Sequence, residues 1–224
     1  MTQERPLPVA LEDGSSVSAL LTLPRASKAC YVMAHGAGAG MHHPFLHDMA
    51  QRLAERRVAT LRFQFPSMER GSKRPDAPAT AQAAVRAACA AAAAATGLPL
   101  VAGGKSFGGR MTSQAQAVSP LPQVAGLAFL GFPLHPAGQP ATARGDHLAR
   151  VTVPMLFVQG TRDKLADPAL ISGLLASLGP KAGLLAVADA DHGFQVPVRS
   201  GRTASDVTAE VADGLAAWVE RLLA

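Results

Sequence analysis

Cysteine, large aromatics and long apolar runs are all scarce in this chain. Of its 224 residues only Cys30 and Cys89 are cysteines, with neither CxxC spacing nor a framework pattern, so both read as reduced packing residues and no disulfide scaffold is expected. One Trp and one Tyr provide too few rings for a stacking surface along nucleic acid. No run of strongly apolar residues is long enough to span a bilayer. The alanine-rich stretch Ala87–Ala95 comes nearest, but alanine is too weakly hydrophobic to hold a helix in lipid. The start, Met1-Thr2-Gln3-Glu4-Arg5-Pro6, has no apolar core of a signal peptide. These absences predict a soluble, cytoplasmic protein with no membrane or nucleic-acid partner.

The length suits one buried core, and a single domain over residues 1–224 is expected. The net charge of +5 is concentrated between Arg52 and Arg74, where Arg52, Arg56, Arg57, Arg62, Arg70, Lys73 and Arg74 face only Glu55 and Glu69. Without interleaved aromatics this cluster reads as a solvated basic face, and Arg70, Lys73 or Arg74 would favour anionic substrates if their loop reaches a site.

Short apolar runs bounded by turn residues alternate with helical patterns, which indicates an α/β fold with a mostly parallel sheet flanked by helices. The predicted strands are Val17–Leu23, Ala29–Ala34, Ala59–Phe65, Leu100–Gly103, Gly126–Leu130, Met155–Gln159 and Leu184–Val187. Predicted helices begin at Pro44, with Phe45, Met49 and Leu53 on one face, and cover Thr80–Thr96, Arg110–Val118, Pro168–Leu178 and a final segment presenting Val207, Val211, Leu215, Trp218 and Leu222. The stretch Pro133–Val153 is rich in proline and glycine and has room for a helical turn but not for a cap domain, so an open site is expected.

Gly104-Lys105-Ser106-Phe107-Gly108 follows the apolar run Leu100-Val101-Ala102 and has the Gly-x-Ser-x-Gly form of a nucleophile elbow. Such a strand-to-helix turn holds the serine hydroxyl outward, and the glycines let two backbones approach. A phosphate-binding loop ending in Gly-Lys-Ser needs glycine at position 99, which is Pro99. Ser106 is therefore the candidate nucleophile.

A serine hydroxyl needs a base to take its proton and an acid to orient that base. Asp163 ends a tight turn after the strand Met155–Gln159, and His192 follows the last predicted strand. Asp167, followed by Pro168, reads as a helix N-cap; Asp189 and Asp191 read as shaping the loop of His192, and Asp146 lies in an earlier loop. The oxyanion requires two preorganised donors. Phe107, next to the nucleophile, supplies one, and the loop His35-Gly36-Ala37-Gly38-Ala39-Gly40-Met41 the other, with Ala37 preferred and Gly38 next. That loop fails as a dinucleotide fingerprint because Met41 stands where the third glycine belongs. His42, His43 and His47 lack a further ligand, so no metal and no cofactor is expected.

With these motifs placed, the chain resembles the α/β-hydrolase superfamily from about Val17 onward. More narrowly it is similar to small lidless hydrolases akin to dienelactone hydrolase, and to a bacterial group related to hydrolase-like testis-expressed proteins. The resemblance rests on His35–Met41, Gly104–Arg110, Gly131-Phe132-Pro133-Leu134-His135-Pro136 and Phe157–Asp163. It implies a hydrolase acting on a small-molecule substrate, with the nucleophile, acid and histidine in the chain order seen for Ser106, Asp163 and His192. Dienelactone hydrolase uses a cysteine nucleophile where this chain has Ser106, which argues against dienelactone as substrate; the expected function is a serine carboxylesterase on small soluble acyl esters or thioesters. A noncatalytic scaffold of the same fold and an acyltransferase with the same triad are the alternatives.

Overall fold

The computed structural model describes residues 4–224. Its centre is an eight-stranded sheet in the order β1-β4-β6-β5-β7-β8-β9-β10. The strands are β1 (Glu4–Pro6), β4 (Ala19–Thr22), β5 (Ala29–Ala34), β6 (Val58–Phe63), β7 (Leu100–Lys105), β8 (Val124–Leu130), β9 (Met155–Gly160) and β10 (Ala182–Val187). A separate hairpin pairs β2 (Val9–Ala10) with β3 (Ser16–Val17). From β6 to β10 every neighbour is parallel; β1 and β4 run antiparallel at one edge.

Helices cover both faces, which is why the central strands are nearly all apolar. Alternation along β5 shows the division. Cys30, Val32 and Ala34 face a core shared with α3 (Pro78–Thr96), α4 (Phe107–Val118) and α5 (Pro168–Leu178). Tyr31 and Met33 face one shared with α1 (Pro44–Glu55) and α6 (Ala204–Leu223). Pro44 and Pro78 occupy first-turn positions, and Gly97 at φ 64° ends α3 in the left-handed conformation. Among the described residues no helix is long and apolar enough to cross a membrane. Cys30 and Cys89 are buried, free thiols, and burial pushes both up to about 12.

Three expectations need correction. The run Val17–Leu23 is not one strand: Val17 pairs in the small hairpin and Ala19–Thr22 in the main sheet, with Ser18 between them donating from N and Oγ to Glu69. The run Ala59–Phe65 ends as a strand at Phe63, because Pro66 starts the short helix α2 (Pro66–Glu69). The basic cluster is not one solvated face. Arg62 is buried in β6, pairing with Glu4 and donating from Nη1 to the Met41 carbonyl at 3.0 Å. Arg52, Arg56 and Arg70 pair with Asp48, Asp213 and Asp76. The stretch Pro133–Val153 carries only a 3-10 segment, Ala143–Arg150, and no separate cap domain is present among the described residues.

Candidate active site

Backbone geometry at Ser106 follows from the glycines around it. The strand β7 passes into α4 at this one residue, which takes φ 51° and ψ −115°, a conformation that residues with a Cβ rarely adopt. A Cβ on Gly104 would lie 2.1 Å from the Ala34 carbonyl oxygen, and one on Gly108 2.6 Å from the oxygens of Ala34 and His35. The elbow is thus pressed onto the end of β5, and only glycine permits the approach. Gly104→Ala is expected to cost about 3 kcal/mol or more, since it adds a backbone clash to a φ of 133°. Urea denaturation measures this; a loss under about 1 kcal/mol would contradict the close approach.

The three sequence-predicted site residues, far apart in the chain, come together at the carboxyl ends of the parallel strands. Ser106 Oγ lies 2.8 Å from His192 Nε2, and His192 Nδ1 lies 2.7 Å from Asp163 Oδ2. The Asp163 side chain is fully enclosed, while 27% of the His192 side chain is exposed. Asp163 Oδ2 also accepts from Gln159 Nε2 at 2.5 Å, and its Oδ1 accepts from the Leu165 N–H at 2.8 Å. These donors satisfy a buried carboxylate while leaving it aimed at the imidazole. With the acid as acceptor, the histidine carries its proton on Nδ1 and offers a lone pair on Nε2 to the serine hydroxyl.

The competing carboxylates are occupied elsewhere. Asp167 caps α5, accepting from the N–H groups of Ala169 and Leu170. Asp191 Oδ1 accepts from the N–H groups of Gly193 and Gln195 and so folds the loop that presents His192. Asp189 takes positive φ in the same loop, and Asp146 is exposed on the 3-10 segment. Of the histidines weighed as ligands, His43 caps α1 through Phe45 N, and His47 faces Glu4 at 3.4 Å.

The loop from His35 to Met41 is held at both ends. Buried His35 accepts from the Phe65 N–H at Nε2, so Nδ1 carries the proton and donates to the Gly36 carbonyl at 2.7 Å; burial holds its pKa below the ordinary histidine value. Met41 N donates to Gln64 Oε1, and its carbonyl accepts from Arg62. Gly36 passes Ser106 closely, and a Cβ there would sit 3.8 Å from Ser106 Cβ. Neither the Ala37 nor the Phe107 N–H has a backbone or side-chain acceptor among the described residues, and Phe107 opens α4, where the helix dipole favours negative charge. Ala37, Ser106 and His192 line one cleft of about 370 Å³, whose apolar wall includes Phe45, Leu46 and Leu165.

Sequence reasoning missed two parts of the site. Gly131–Pro136, matched by resemblance but without a derived role, braces Asp163: Phe132 N donates to Gln159 Oε1 at 2.9 Å, which fixes the amide that bonds Asp163. His135 accepts from Asp167 N at 2.8 Å and clamps the loop of Asp163 from the other side. Lys105, which reads in sequence as the variable residue of the elbow, turns into the site and bonds the His192 carbonyl. The signal for the first was the unexplained motif itself; for the second there was none.

A family model described as "Alpha/beta hydrolase domain" matches residues 27–220. Among solved structures, dienelactone hydrolase from Anabaena variabilis superposes with a TM-score of 0.79 at 21% identity, covering 98% of this chain and 97% of its own. An α/β serine hydrolase without lid from Xanthomonas campestris gives 0.74 at 21%, covering 97% and 96%. An esterase from Pyrococcus furiosus gives 0.77 at 13%, covering 98% and 91%. At these identities the solved structures establish likeness of fold.

Proposed function

Because the chain belongs to the alpha/beta hydrolase domain family, we propose that it is a single-domain serine hydrolase, a carboxylesterase acting in the cytoplasm on small soluble acyl esters or thioesters. One observation carries this reading: the unbroken relay from Ser106 Oγ through His192 to enclosed Asp163, at 2.8 and 2.7 Å. Ser106 Oγ attacks the acyl carbon as its proton passes to His192 Nε2, and Asp163 stabilises the imidazolium. The N–H groups of Phe107 and Ala37 hold the oxyanion. Collapse returns the proton from His192 to the departing alcohol or thiol, leaving an acyl-Ser106 ester. Water, deprotonated by the same imidazole, then attacks the acyl carbon, and His192 returns that proton to Ser106 Oγ as the acid is released.

A fluorophosphonate probe tests the reading directly. Folded wild-type protein should be labelled at Ser106, and folded protein that stays unlabelled would overturn it. The absence of a cap among the described residues leaves the cleft open, which suits short acyl groups rather than long chains.

A basic loop beside the oxyanion loop favours anionic substrates. Gly38 approaches the backbone of Lys73, where a Cβ on the glycine would lie 3.2 Å from the Lys73 carbonyl oxygen, so the loop of Lys73 and Arg74 borders the oxyanion loop. Neither cation pairs with a carboxylate among the described residues. A carboxylated ester should therefore show several-fold higher kcat/KM than its neutral isostere at low salt, with the advantage shrinking as ionic strength rises. Equal rates at low salt would remove any steering role for this loop.

A further inference from the structure

Lys105 has no task in the triad, yet its side chain enters the site. Nζ donates to the backbone carbonyl of His192 and lies 5.0 Å from the centre of the Phe194 ring. A Cβ on Gly131 would sit 3.0 Å from Nζ, so the loops after β7, β8 and β10 converge on one ammonium. The charged and titratable groups that face it are Asp163 after β9, and Asp191 and His192 after β10. No carboxylate lies within ion-pair distance of it among the described residues. Enclosing an ammonium without a paired carboxylate costs stability that a methionine of similar length would avoid.

The connections of the His192 loop suggest what the ammonium does. That loop is tied to the acid's side by Arg162 N to the Ala190 carbonyl, Asp189 N to Thr161 Oγ1, and Thr161 N to the Val187 carbonyl. To the elbow it has only two hydrogen bonds among the described residues: the Ser106–His192 contact itself and the one from Lys105. The first of these opens in every turnover, when Ser106 becomes acylated. The second would keep the imidazole in register while that happens.

We propose that Lys105 is a positioning residue whose ammonium ties the His192 backbone to the nucleophile elbow and holds the imidazole in line with Ser106 Oγ through both half-reactions. The proposal rests on the triad reading above. A misplaced base slows proton transfer without weakening substrate binding, so the loss falls on kcat. Burial pushes Lys105 down to about 8 against the opposing pull of Asp163 and Asp191. The charge-assisted bond is therefore complete below that pH and weakens above it as the ammonium becomes a neutral amine. An alkaline fall in kcat near pH 8 follows.

Two variants test this. Lys105→Met should lower kcat about tenfold or more, leave KM within about twofold, and lose the alkaline limb, with a melting temperature equal to or above wild type. Lys105→Cys treated with bromoethylamine restores an ammonium at nearly the same reach, and its thioether makes that ammonium more acidic. Cys30 and Cys89 are buried with thiols at about 12, so they do not compete for the reagent in the folded protein. The aminoethylated enzyme should regain most of the lost kcat with its alkaline limb moved to lower pH. Wild-type kcat in Lys105→Met, or no recovery on aminoethylation, would overturn the proposal. Should the methionine variant unfold, comparing the cysteine variant before and after treatment decides alone. Failure of the triad reading is distinct: wild type would then not be labelled by the fluorophosphonate.

Discussion

Ser106→Ala should abolish turnover, lowering kcat by about 10⁴-fold to 10⁶-fold and removing fluorophosphonate labelling, with the melting temperature unchanged. Stability should persist because alanine and serine both carry a Cβ and so share the strain of φ 51° at the elbow. Ser106→Gly provides the control. It should be as inactive as the alanine variant but more stable than wild type by about 1 kcal/mol, because glycine adopts that backbone freely. If Ser106→Ala keeps more than about one hundredth of wild-type kcat, the nucleophile lies elsewhere.

Asp163→Asn should lower kcat by about 10⁴-fold, and here the surroundings leave the new side chain no good orientation. The carboxylate accepts from His192 Nδ1 and Gln159 Nε2 at Oδ2 and from Leu165 N at Oδ1. Gln159 cannot turn its amide to help, since its Oε1 is held by Phe132 N. An asparagine has one accepting oxygen, so its NH₂ must face either the Leu165 N–H or the His192–Gln159 pair. In the first orientation a buried donor loses its partner, at a cost of about 1–3 kcal/mol. In the second, the imidazole is driven to carry its proton on Nε2, where it can no longer take one from Ser106. Both a lowered melting temperature and a rate loss are therefore expected. An active Asp163→Asn enzyme would show that His192 is oriented by something other than this carboxylate.

The parallel core was legible because a strand covered on both faces must be apolar along its length, as Tyr31-Val32-Met33 and Phe157-Val158 are. Edges were harder to read. The strands β1 and β2 carry only three and two residues, too short for any period to register. The run through Val17 and Leu21 looks continuous, although its residues belong to two sheets divided at Ser18. The elbow was legible because it is local: its glycines, serine and preceding strand lie within nine residues, from Leu100 to Gly108.

The sequence by itself determined which residues are the candidates for chemistry. A glycine-flanked serine after an apolar strand, followed by an aspartate and a histidine after two later strands, is written in local pattern and chain order. Tertiary structure decided everything that depends on residues distant in the chain meeting in space. It buried Arg62 beneath Met41, set His135 against Asp167, aimed Gln159 at Asp163, and turned Lys105, the variable residue of the elbow, onto the His192 carbonyl. Those contacts arise from the order of strands in the sheet, which sets β6 beside β5 and brings the ends of β7, β8, β9 and β10 side by side. A hydrophobic period records which way a side chain points, but not which loop it will find there.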